Sequence, residues 1–365
     1  KISGVWIMAY TTIDDPSAYF QTALYTGNGS SQSVVNDGNS DLQPDWLWIK
    51  ERSSTSGHIL KDTNRGVNNS INTHNSDQES ASSSQVTSIN SDGFSVGTDN
   101  GTNQSSVTMV AWQWKANGGT TSTNNDGSTA STVQANTTAG FSIVTFSRSA
   151  GGTITVGHGL GKKPDWIIVK SRQTSNNWVV THKSLGTEMQ DYYTILNGTD
   201  ASSNSNDIFG GEPTSSVFST TNNVASNDNQ VAYCFTEIKG YSKFGSYTAN
   251  GNVDGPFVYT GFKPAWVMFK QTNSSDTAHW FMYDSTRSPT NVIGDVGLAA
   301  NLSNAEGLGS TWDPNTSDSV VDFVSNGFKI RTTATSGFNI SGNTMIYMAF
   351  AEHPFVSSKG VPTTA

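Results

Sequence analysis

Pro164-Asp165-Trp166-Ile167-Ile168-Val169-Lys170 has two close copies in the same chain, Pro44-Asp45-Trp46-Leu47-Trp48-Ile49-Lys50 and Pro264-Ala265-Trp266-Val267-Met268-Phe269-Lys270. Proline has no N–H to give to a ladder, so it opens a strand rather than sitting inside one. The apolar run behind it is short and does not alternate, which predicts a strand covered on both faces. Lys50, Lys170 and Lys270 then mark the return to water.

Each copy of this anchor sits inside a longer repeat. Upstream lie Tyr25-Thr26-Gly27-Asn28-Gly29, Phe146-Ser147-Arg148-Ser149-Ala150-Gly151 and Tyr247-Thr248-Ala249-Asn250-Gly251, whose aromatics precede the anchor prolines by 19, 18 and 17 residues. The Asn-Gly pairs in copies one and three predict hairpin turns with positive φ. Downstream come the short apolar stretches 58–62, 178–182 and 280–284. Asx-Gly-aromatic turns follow at Asp92-Gly93-Phe94 and Asn326-Gly327-Phe328. Each copy closes on an alanine-centred run, with Ala111, Ala232 and Ala349 aligned, which places Trp112, Tyr233 and Phe350 in register. The third copy carries an insertion between Asn291 and Ser319, and 296–309 holds the best candidates for helical turns.

Short strands separated by turn signals predict an all-β chain of three tandem antiparallel β-sandwich, jelly-roll-like modules, diverged from one repeat. The expected division is an N-terminal segment 1–19, module 1 at 20–116, a Gly/Ser/Thr/Asn linker 117–140, module 2 at 141–244, module 3 at 245–355 and a tail 356–365. Modules in series predict an elongated molecule. Modules 2 and 3 are expected to be rigidly joined through Gly240-Tyr241-Ser242-Lys243-Phe244-Gly245.

Composition narrows the function. The chain has 365 residues, 13% of them charged, and a net charge of −9. Sequence-independent nucleic-acid binding needs clustered Lys and Arg, so nucleic acid is not an expected partner. No apolar stretch reaches the ~18 residues of a membrane-spanning helix, so membrane insertion is not expected either. The one cysteine, Cys234, lies in an apolar run and reads as a small buried hydrophobe. The Asn-X-Ser/Thr sequons follow from composition.

Few residues carry the signature of chemistry. Asp45 and Asp165 follow the anchor proline, but the third copy has Ala265, so these read as solvated turn carboxylates rather than a general acid or base. Asp62 with Arg65 and Asp284 with Arg287 recur, while the middle copy has His182 and Leu185. They read as local ion pairs or turn clamps, worth little if exposed. His58, His74, His158, His182, His279 and His353 lack the spacing of a metal site. Gly157-His158-Gly159-Leu160-Gly161 leads into a strand, not a helix, and so reads as a turn rather than a phosphate loop. Asp14-Asp15-Pro16 lacks the further ligands of a calcium loop. No catalytic, metal or cofactor residue is therefore expected. Trp46, Trp166, Trp266, Trp112, Tyr233 and Phe350 recur between copies and read as structural core. Trp312 and the pair Tyr192 and Tyr193 occur in one copy only and are the candidate surface aromatics for ligand binding.

Together the segments 14–20, 25–29, 42–46, 138–144, 156–161 and 241–245, with the repeat itself, resemble the modules of tail fibres and related virion-surface proteins of marine tailed bacteriophages. The resemblance spans nearly the whole chain. It implies a non-enzymatic structural component of the particle surface, more at the tail than the capsid. The component is expected to be homo-oligomeric, with a trimer as the family-based guess, and to contact other virion proteins and a host-surface glycan or protein. The alternatives are a capsid decoration or head-fibre protein, a secreted carbohydrate-binding module, and a glycan-degrading tailspike, which would need a carboxylate pair in a groove.

Overall fold

A computed structural model describes residues 9–149, 151–225, 227–273, 278–289, 291, 296–307, 320–333, 337 and 339–363. It is nearly all β, and every strand ladder is antiparallel. The same two-sheet sandwich occurs three times.

In module 1 the large sheet runs Phe20–Thr26, Thr108–Trp114, Trp46–Glu51, Ile59–Asp62, and the small sheet runs Gln32–Val34, Phe94–Val96, Val86–Ile89. In module 2 the corresponding large-sheet strands are Phe141–Arg148, Asp228–Phe235, Trp166–Ser171 and Val179–His182. In module 3 they are Ser242–Thr248, Thr344–Pro354, Phe262–Gln271 and Phe281–Asp284, so Pro264, unlike Pro44 and Pro164, lies inside its strand rather than opening it, at an irregularity of register that spares the missing N–H. Turn chemistry follows the residues. Gly29 and Gly251 both adopt φ +69°, open to glycine at no steric cost. The expected hairpins do not form there: the strands on either side of each turn lie in different sheets, so the turn carries the chain from the large sheet to the small one. A Cβ on Gly93 or Gly327 would lie 2.1 or 2.0 Å from the carbonyl oxygen of Val34 or Val258, so in modules 1 and 3 the small sheet closes only over glycine.

The anchor strands are covered on both faces. Leu47 and Ile49, Ile167 and Val169, and Val267 and Phe269 point into the core of their own sandwich. Trp46 and Trp48, Trp166 and Ile168, and Trp266 and Met268 point the other way, into one core shared by all three modules. All eight tryptophans among the described residues lie fully buried in that shared core. Their rings meet across module boundaries: Trp46 and Tyr233 at 4.8 Å, Trp114 and Trp266 at 5.5 Å, Trp166 and Trp280 at 5.8 Å. Each such ring removes on the order of 200 Å² from water, worth about 5 kcal/mol as an upper estimate.

Hydrogen bonds close this arrangement into a ring with pseudo-threefold symmetry. Equivalent side chains reach the equivalent carbonyl of the neighbouring module. Trp178 Nε1 donates to Asn72 O at 2.9 Å, Trp280 Nε1 donates to Ile195 O at 2.8 Å, and His58 Nε2 lies 2.9 Å from Ala299 O. A second set runs between backbones: Glu79 N to Arg172 O (2.9 Å), Ser202 N to Thr272 O (2.8 Å) and Glu306 N to Arg52 O (2.6 Å). The three bonds of each set join modules 1 and 2, 2 and 3, and 3 and 1.

The ring corrects several expectations. The molecule is not an extended series of modules, because the outer face of each large sheet is apolar and is buried against the other two. The stretch 117–140 is not a linker: Ser122–Asn124 and Ser131–Asn136 extend the large sheet of module 2, with Ser131–Asn136 paired to Phe141–Arg148. Its serines and threonines suit an edge strand as well as a coil. Module 3 starts within the expected connector, at Ser242, because Phe244 packs into the shared core. The closing strand of module 3 sits two residues from the expected alignment: Trp46 pairs with Trp114, Trp166 with Phe235 and Trp266 with Phe350, so Trp112 and Tyr233 match Met348. A slip of two residues leaves every side chain on the same face, so the pattern could not reveal it. Residues 296–307 hold the short strand Leu298–Ala299 and turns, not helical turns.

Lys50, Lys170 and Lys270 do not return to water. All three are fully buried, and their ammonium groups donate to carbonyls: Lys50 to Glu51 O (2.6 Å), Lys170 to Ser76 O of module 1 (3.2 Å), and Lys270 to Thr199 O of module 2 (3.0 Å). Burial lowers their pKa values, to about 8 for Lys50 and Lys170 and about 7 for Lys270.

Candidate functional site

The residues that looked chemical in sequence hold modules together. Asp62 and Arg65 are fully buried, 2.5 Å apart, and Asp62 also accepts the hydroxyl of Tyr233 of module 2 at 2.7 Å. Arg65 continues to Glu79, which pairs with Arg172 of module 2. Asp284 and Arg287 repeat this against module 1, with Trp112 Nε1 donating to Asp284 at 2.9 Å and Glu306 bridging Arg287 and Arg52. These pairs are therefore not exposed turn clamps. The carboxylates hold both Arg65 and Arg287 above the usual guanidinium range, against the opposing effect of burial.

The histidines are dispersed. His58 bridges Trp48 Nε1 and Ala299 O, and His158 caps its own turn by accepting from Leu160 N. Burial lowers the pKa of His58 well below the usual value, that of His182 to about 3 and that of His279 to about 4. Among the described residues no group of His, Cys, Asp or Glu is arranged to hold a metal. Cys234 is fully buried, and burial raises its thiol pKa. Trp312 lies outside the described residues. Tyr192 and Tyr193 are half-buried; Tyr193 packs against the module 2 core, and Tyr192 accepts from Asn204. Trp46, Trp166, Trp266, Trp112, Tyr233 and Phe350 are all fully buried in the shared core.

Open chemistry gathers where the anchor strands begin, and the three copies differ there. In module 1, Asp45 is buried, not solvated. It accepts N–H bonds from Ala116, Gly118 and Gly119 and the hydroxyl of Thr63, which fills the carboxylate and closes the position. In module 3 Ala265 leaves a cleft of about 410 Å³, edged by Asp15, Gln21, Lys263 and Glu352. In module 2 the equivalent position opens into a larger groove of about 740 Å³.

Five segments build that groove: Tyr10 to Thr12, the turn at Thr137 and Thr138, Lys162 with Asp165, Lys183, and Glu237 to Lys239. Both carboxylates are engaged. Asp165 accepts from Glu237 N and pairs with Lys183, and Glu237 pairs with Lys183 and Lys243. These contacts raise the pKa of Lys183 and lower that of Glu237, in each case against the effect of burial. Lys162 and Lys239 are exposed, and neither has a carboxylate partner among the described residues; the Lys239 ammonium sits 4.4 Å above the Tyr10 ring. Tyr10 in turn donates to Gly261 O and shares a 2.9 Å hydrogen bond with Tyr259. A Cβ on Gly261 would come within 2.5 Å of that hydroxyl, so glycine is required for the contact. Phe257 and Tyr259, on one side of strand Phe257–Tyr259, are 48% and 51% exposed. Their counterparts by sheet register are Ser33 and Val35, and Thr155 and Gly157. Aromatics confined to one copy are the signal that selects them.

No curated protein and no solved structure matches this chain. Residues 15–354 match a family described as a domain of unknown function, DUF7483, a span that takes in all three modules. The chain therefore belongs to the DUF7483 family.

Proposed function

We propose that this protein is a structural component of a tailed-phage particle, a tail fibre or receptor-binding protein that attaches the particle to its host. The observation that carries the reading is the closed ring. Its buried charges lock modules to one another, and its aromatic residues fill a common core. The result is a stiff three-lobed body whose outer surface is rich in neutral hydroxyls and amides. The sequence resemblance to virion-surface modules supports the same reading. Adhesion suits such a body, since weak contacts repeated over several copies of the chain add up to high avidity without chemistry. The reading includes self-association of the chain on the particle, contact with other virion proteins, and a glycan or protein of the host surface as ligand.

Gold-labelled antibody on intact particles, or cryo-EM of them, tests it. Label at the tail is expected. Label over the capsid would replace attachment with decoration, and purified particles without the protein would sink both. Host envelope glycan incubated with the purified protein should keep its chain length; shortened products would overturn the non-enzymatic adhesin.

A further inference from the structure

We infer that the module 2 groove binds an acidic saccharide, with Lys162 and Lys239 meeting the carboxylates of the glycan and Tyr259 offering a ring face to its sugars. The inference takes its biological setting from the attachment reading but is tested apart from it.

Three features of the groove carry it. First, its charge is inverted relative to the protein. The chain carries a net charge of −9, yet both groove carboxylates are consumed by Lys183, Lys243 and a backbone N–H, which leaves two exposed ammonium groups without a carboxylate partner among the described residues, Lys239 resting on the Tyr10 ring. An anion is what such a pair accepts. Second, the rim beside Tyr10 carries the half-exposed ring of Tyr259, an aromatic that occurs at this strand position in no other module. Flat apolar faces next to polar groups suit a sugar ring, whose C–H face and hydroxyl edge require both. Third, Thr12, Thr137 and Thr138 line the groove with exposed hydroxyls that can donate to and accept from a saccharide. The equivalent cleft of module 3 lacks this balance, since Asp15, Asp37 and Glu352 face Lys263 there. Module 1 is closed by Asp45.

Calorimetric titration of the full chain with oligogalacturonate, its methyl ester and a neutral malto-oligosaccharide decides the matter. Oligogalacturonate should bind about tenfold more tightly than the ester, and the Lys162→Ala/Lys239→Ala variant should lose about the same factor. Both lysines are exposed, so the fold should survive their removal. Binding should weaken as salt rises, and Tyr259→Ala should weaken it several-fold. No binding of oligogalacturonate, equal binding of the ester, or affinity unchanged in the double lysine variant would each overturn the inference. Inorganic polyphosphate is the control for charge alone. If it binds as tightly as oligogalacturonate and Tyr259→Ala affects neither, the groove is a cation patch and not a saccharide site. Failure here leaves the particle-labelling experiment to judge attachment on its own.

Discussion

The junction between modules 1 and 2 and the junction between modules 2 and 3 use the same backbone positions and opposite side-chain solutions. Both have the indole-to-carbonyl bond and the backbone bond that close the ring. At the first, Asp62, Arg65 and Glu79 meet Tyr233 and Arg172 in a buried charged network. At the second, the same strand positions hold His182, Leu185 and Met348, with Ser202 and Thr272 where the other junctions have Glu and Arg. Methionine has no hydrogen to donate, and no carboxylate stands opposite it. The sets change together: a carboxylate and guanidinium where the next module offers a hydroxyl or indole N–H, a neutral imidazole and leucine where it offers a thioether. A buried charge persists only with all its partners, so partial substitution is the costly state.

The largest expected effect comes from breaking one clamp. Arg65→Met keeps the apolar stem but leaves Asp62 buried without its cation, and should cost about 3–5 kcal/mol of unfolding free energy in urea. A cost no greater than that of Leu185→Ala would mean that the two junctions are not different in kind. Leu185 is half-buried against the shared core, so its truncation should cost about 1–3 kcal/mol.

The junction between modules 2 and 3 should in turn show the acid sensitivity. His182 has its pKa lowered to about 3 by burial, with Lys183 acting in the same direction. Below pH ~6.5 the unfolded chain takes up a proton that the folded chain refuses, so stability falls as pH drops from there toward 3. In His182→Gln the slope of stability against pH between 4 and 6 should decrease by about 1.4 kcal/mol per pH unit. An unchanged slope would assign the acid lability to His58 and His279 instead. The smallest effect is expected from exchanging one solution for the other. The triple variant Asp62→His/Arg65→Leu/Tyr233→Met should lie within about 1 kcal/mol of the parent, well above Arg65→Met alone. Additive losses would show that the clamp is stabilising in itself.

Parts of this structure were legible in particular residues. The anchor heptads gave strands covered on both faces, while Asn28-Gly29 and Asn250-Gly251 gave turns but not hairpins, because each turn joins the two sheets of a module. The groove was not legible, because Tyr10, Lys162, Lys239 and Tyr259 lie far apart in sequence and none belongs to a recognised motif. Asp45 and Asp165 illustrate the same limit: one residue type at one repeat position is filled by four donors in one copy and lines an open groove in another.

The sequence by itself determined the all-β class, the threefold repetition and the dryness of both faces of each anchor strand. These depend on side-chain period and turn geometry within about ten residues. Only the tertiary structure decided what covers the outer faces, and with it the ring, the burial of Lys50, Lys170 and Lys270, and the groove. The hydrophobic effect is proportional to area and has no direction, so an apolar face announces burial without naming its partner. The partner is chosen by contacts such as His58 with Ala299, which join opposite ends of the chain.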